Sequence, residues 1–115
     1  MANLPQSVFG VRLRCARERA GLAQDRLGVS IGLDEGCSSA RISRYETGIH
    51  QPPFEVAEKL AKVLGVPTSY FYCRDDRLAE LLLELDALSD SEIESLRKSL
   101  RRLIAKRSME KPRLR

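Results

Sequence analysis

Glycines 21, 32, 48 and 65 each stop a short stretch in which apolar residues recur at helical spacing. A chain punctuated this way is divided into short helices, each of which must hide one face against its neighbours. Phe9, Leu13, Ala16 and Ala20 share one face of a first helix that Ser7 can cap and Gly21 can end. Gln24 to about Ile31 reads as a second helix, with Leu27 and Ile31 inward and Gly28 leaving room for a close neighbour. A third runs from about Ser39 to Thr47. After the extended linker His50-Gln51-Pro52-Pro53 a fourth runs from about Phe54 to Leu64, with Phe54, Ala57, Leu60, Ala61 and Leu64 on one side. Pro67 opens a short fifth helix through Tyr72, whose aromatic residues are expected to close the core.

The fold class is therefore all-α, in keeping with a chain only 5% aromatic and rich in leucine and alanine. Its 115 residues suffice for one small domain and an appended segment, and exclude two large domains. We divide the chain into a helical domain over residues 1–73, C-terminal helices over 74–107 and a basic, flexible tail over 108–115. In the second part Leu78, Leu81, Leu82 and Leu85 mark one amphipathic helix. Ile93, Leu96, Leu100 and Leu103 follow heptad spacing in another, which Ser89-Asp90-Ser91-Glu92 can cap. Charge is divided as well: residues 74–95 carry a net −6 and residues 96–115 a net +8.

Several function classes lose support. With one histidine and three cysteines in no paired spacing, neither a metal centre nor a disulfide frame is expected, and no cofactor-binding loop is present. No nucleophile and base stand at suggestive spacing, so an enzyme is not expected. The start MANLPQSVFG lacks a basic leader, and no stretch approaches the ~18 apolar residues of a membrane span, so a cytoplasmic protein without membrane contact is expected. The net charge of +4, carried mainly by arginine, suits an anionic partner.

The third helix narrows that partner. With Ile42 inward, Tyr45 and Glu46 lie within about 60° of it, while Ala40 and Arg44 point nearly opposite, flanked by Ser43, Thr47 and Arg41. Such a small, polar, positive face fits the DNA major groove, where an arginine can donate two hydrogen bonds to guanine. A solvated helix face would look the same from spacing alone.

Three runs taken together resolve the ambiguity: L-R-x-x-R-x-x-x-G-L-x-Q from Leu13 to Gln24, I-S-R-Y-E-x-G from Ile42 to Gly48, and P-x-x-E-x-x-x-K-L-A-K-x-L-G-V from Pro52 to Val66. In order and spacing they resemble the Xre/Cro family of phage-repressor-like (lambda-repressor-like) helix-turn-helix regulators. The resemblance spans roughly residues 7–72 and implies a five-helix DNA-binding domain, followed here by one or two amphipathic helices. It implies base reading by Ser39, Ala40, Ser43 and Arg44, and phosphate contacts by Gln24, Arg41, Thr47, His50 and Gln51. It also implies a structural salt bridge between Arg17 and Glu46. The expected function is a sequence-specific double-stranded DNA-binding regulator, most often a repressor, acting as a homodimer on a palindromic operator. The Ile93, Leu96, Leu100, Leu103 seam is the candidate dimer interface. An antitoxin-like module whose C-terminal helices bind a protein partner is the alternative.

The chain departs from that family between the second and third helices. The surplus of about four residues, Asp34-Glu35-Gly36-Cys37, reads as an inserted loop that costs little to close. It can be passive, can touch DNA or a second subunit, or can present Cys37 as a redox-sensitive thiol, a role its acidic neighbours oppose.

Overall fold

The computed structural model describes residues 7–110. Those residues form six α-helices and one 3₁₀ turn: α1 (Val8–Arg19), α2 (Gln24–Ser30), α3 (Glu35–Thr47), α4 (Phe54–Leu64), the turn Thr68–Tyr72, α5 (Asp76–Asp86) and α6 (Asp90–Glu110). The Ser7 hydroxyl accepts the Gly10 N–H at 2.9 Å and so caps α1. A core of Phe9, Leu13, Leu27, Ile42, Leu60 and Phe71, each no more than 2% exposed, draws α1 to α4 and the 3₁₀ turn around one centre.

The fifth helix expected from Pro67 is this 3₁₀ turn. It buries Tyr70 and Phe71 but leaves Tyr72 45% exposed. Two further residues assigned to the core stand outside it. Ala20 ends α1 at the surface, and Phe54 is 57% exposed at the start of α4, where its ring stacks on Tyr72. A residue in the first turn of a helix can share the apolar arc and still overhang the edge of the surface that the arc covers.

Asp34 to Cys37 is not a loop. Asp34 is the N-cap of α3, its carboxylate accepting the Gly36 N–H at 3.2 Å, and Glu35 begins the helix. Only Ile31 to Asp34 separates α2 from α3, so the turn stays tight and the surplus adds one helical turn, about 6 Å. Carboxylates at this end favour the positive pole of the helix, and the surplus turn is anchored from within. Ser38 is fully buried and donates to the Asp25 carbonyl at 2.6 Å, and a Cβ at Gly28 would overlap its side chain. Gly28 thus admits the close neighbour its sequence position suggests.

α5 does not stand apart from the domain before it. Ala79 is fully buried against the core and Leu83 partly so, and α5 packs on the 3₁₀ turn. α6 leaves the globular part: none of its described side chains is buried, and the molecule measures 59 × 34 × 22 Å. Its N-terminus carries a reciprocal cap. The Ser89 hydroxyl accepts the Glu92 N–H at 3.2 Å, and the Glu92 carboxylate accepts the Ser89 N–H at 2.9 Å. The first three residues of the tail expected from residue 108 belong to α6, which runs through Glu110; residues 111–115 lie outside the described residues. No described helix is long and apolar enough to cross a membrane.

Candidate nucleic-acid interface

The outer side of α3 carries Ser39, Ala40, Arg41 and Arg44, all exposed, with Ser43 and Thr47 half-buried along one edge. Gly36 and Cys37 sit one turn before Ala40 and Arg41, so the small-residue face is longer than a helix starting at Ser39 would give. The Cys37 thiol donates to the Asp34 carbonyl at 3.5 Å, and Cys15, Cys37 and Cys73 are all free thiols. Thr47 turns its hydroxyl back onto the Ser43 carbonyl at 3.0 Å. Beyond Gly48, the His50 N–H donates to the Arg44 carbonyl at 3.1 Å, folding the following loop beside the helix end; His50 and Gln51 present exposed side chains there.

Beneath this face lies a polar network. Arg17 Nε donates to Glu46 Oε2 at 2.6 Å and its Nη2 to Oε1 at 3.2 Å, a two-pronged pair with side chains 12% and 4% exposed. Arg17 also donates to the Leu22 carbonyl at 2.9 Å. The hydrogen bond that Arg17 donates to Glu46 is the main reason the Arg17 pKa is raised, and burial opposes it. Gln24 donates from its amide to Glu46 at 3.1 Å and accepts from the Ser39 hydroxyl at 3.4 Å. Four residues on α1, α2 and α3 are therefore joined through one buried carboxylate. Arg17, Gln24 and Glu46 border a cleft of about 290 Å³ that Arg14, Ser43 and Thr47 also line. Gln24 does not cap α2. Ala23 holds the N-cap position without a side-chain hydrogen bond.

Two structural residues went unnoticed in the sequence. Gly10 brings α1 against the backbone of α3, where a Cβ would overlap the Glu46 carbonyl oxygen. Arg12, 7% exposed, donates to the Cys73 carbonyl at 2.9 Å, the Arg74 carbonyl at 3.2 Å and the Asp76 carboxylate at 2.8 Å, with its guanidinium over the Tyr70 ring. A visible signal existed for Arg12: it lies at the edge of the apolar arc of Phe9, Leu13 and Ala16, about 40° from Ala16, where a charge must find buried partners. The seam residues Ile93 and Leu96 are half-buried, and Leu100 and Leu103 are 47% and 65% exposed.

Comparisons with known proteins agree with this geometry. A family model described as a helix-turn-helix domain matches residues 8–69. The crystal structure of the transcriptional regulator BswR superposes with a TM-score of 0.79 at 43% identity, covering 84% of this chain and 95% of that one. The transcriptional repressor RstR of the cryptic phage CTXphi in Vibrio cholerae is 30% identical over 94 residues, 77% of this chain and 81% of the repressor. An uncharacterized helix-turn-helix-type transcriptional regulator of Sinorhizobium medicae is 30% identical over 63 residues; the matched part is 55% of this chain but only 42% of that relative's length. The tight α2–α3 turn, the exposed polar face of α3 and these likenesses identify a DNA-binding transcriptional regulator, and the chain belongs to the Xre/Cro-like helix-turn-helix family.

Proposed function

We propose that the protein is a repressor that binds a palindromic operator as a homodimer, with α3 in the major groove of each half-site. The observation that carries this reading is the outer face of α3, small and polar with Arg44 exposed, braced from below by the Arg17–Glu46–Gln24 network. Small residues at Ala40 and Ser43 let the helix backbone approach base edges, and Arg44 has the fork geometry for guanine O6 and N7. Ser39 stands in the first part of this face, where its hydroxyl can shift from Gln24 to a base.

Phosphate contacts fall to the rim. Gln24 keeps one amide hydrogen after donating to Glu46, and the uncapped N-terminus of α2 beside it offers backbone N–H groups. Arg41, Thr47, His50 and Gln51 supply the other side. Repression is favoured by the likeness to the phage repressor, which extends over most of both chains. Dimer formation is favoured by exposed leucines on α5 and α6, because one helix in one groove buries too little surface for tight, specific binding. The same leucines support a second reading, an antitoxin-like protein that binds a partner protein through these helices.

Selection of bound sequences from random duplex DNA tests the proposal with wild type and Arg44→Ala. The expected result is a palindromic consensus with wild type that loses information at one position per half-site in the variant. Absence of any enriched sequence with wild type would reject it in favour of the second reading.

A further inference from the structure

On α6, Ile93, Leu96, Leu100, Leu103 and Ile104 fall within an arc of about 100°, and the last three are 47%, 65% and 54% exposed. This apolar strip spans eleven residue steps, about 16 Å, on a helix none of whose described side chains is buried, with Ile93 and Leu96 half-buried. A strip of that kind on an otherwise charged helix is matched by another such strip. The charges flanking it decide the direction. Asp90, Glu92 and Glu94 occupy the first turns, and Arg97, Arg101, Lys106 and Arg107 follow beside the strip or at its end.

We infer that two copies of the chain pair through α6 in antiparallel orientation about a two-fold axis near residue 98, an inference that rests on the dimer proposed above. In that register Ile93 meets Ile104 of the second copy and Leu96 meets Leu100. Glu94 comes beside Arg101 of the second copy, and Glu92 beside Lys106 and Arg107. Glu94 already pairs within its own helix with Arg97 at 3.3 Å and Arg101 at 3.6 Å, so a second copy extends an existing exposed network. A parallel pair would instead set the basic half against the basic half and the acidic turns against each other, which costs stability at low salt. The isologous arrangement uses one patch twice and closes at two chains.

Cysteine pairing in the full-length chain, with Cys15, Cys37 and Cys73 changed to serine, tests the orientation. Ile93→Cys and Ile104→Cys proteins are oxidised separately and after mixing. Antiparallel pairing gives a disulfide-linked species only in the mixture, because like positions then lie about 16 Å apart, too far for a bond. A disulfide within each separate variant means parallel pairing and overturns the inference while leaving the dimer in place. Sedimentation of the wild type reports the dimer independently, at twice 13.0 kDa. Leu100→Asp with Leu103→Asp raises the dimer dissociation constant at least ~100-fold while the thermal midpoint of the N-terminal helices holds. A monomer at all concentrations overturns both readings, whereas a dimer indifferent to this double variant overturns the α6 pairing and leaves the dimer in place.

Discussion

Replacing Glu46 by alanine tests the bracing of α3 most directly. The substitution removes the acceptor of two hydrogen bonds from Arg17 and one from Gln24, and leaves a guanidinium 12% exposed with the Leu22 carbonyl as its remaining partner. An ion pair this well buried costs about 3–5 kcal/mol when one partner is lost, because the other charge stays desolvated. For a domain of this size each kcal/mol moves the thermal midpoint by about 4–8 °C, so a fall of more than ~10 °C is expected. Arg44→Ala removes an exposed side chain and should change stability by less than ~0.5 kcal/mol. Both variants lose DNA affinity, one through a displaced helix and the other through a missing contact. The check is calorimetry of both proteins beside fluorescence titration with a selected duplex. Equal thermal midpoints for the two would refute the argument that Glu46 is a structural brace. The pair adds pH dependence through Arg17 only in strong alkali: its pKa is raised in the fold, so its contribution is lost only as pH climbs past the arginine range.

Gly10→Ala forces α1 away from the Glu46 carbonyl and should cost about 1–3 kcal/mol in urea midpoint stability, with DNA affinity falling in parallel. Arg12→Met frees the Cys73 and Arg74 carbonyls and detaches Asp76, so amide exchange should quicken across Asp76–Asp86 and stay slow in α2 and α3. Asp75 accepts the Leu78 and Arg77 N–H groups and Glu92 the Ser89 N–H, and these bonds lower both carboxyl pKa values. Depressed folded values mean that their stabilisation is present above the usual carboxylate range and is lost as pH falls through it, below about pH 4. Circular dichroism on acidification should therefore show α5 and α6 fraying first, and Asp75→Asn with Glu92→Gln should flatten that early limb.

Glycine punctuation and helix-period leucines are enough to read all six helices, apart from the first turn of α3, and most of the core, because a short helix ends where its backbone turns left-handed and packs where its apolar residues align. Gly48 and Gly65 do both, with φ of 85° and 70° at the ends of α3 and α4. The motifs around Arg17, Gln24 and Glu46 likewise point to the candidate site from sequence alone. What sequence pattern missed depended on partners far along the chain. Asp34-Glu35-Gly36-Cys37 carries turn-forming residues and reads as a loop. The buried Ser38, seated against Gly28 and bonded to Asp25, holds it helical, and that contact exists only once α2 and α3 meet. Arg12 looks like one more basic residue until the backbone carbonyls of Cys73 and Arg74 arrive beside it. Local periodicity determined which segments are helices and which faces are apolar, because both follow from neighbours within one turn. Tertiary structure decided where α3 begins, where α5 is fixed and which apolar face was left on α6, because those depend on long-range burial of polar and charged groups.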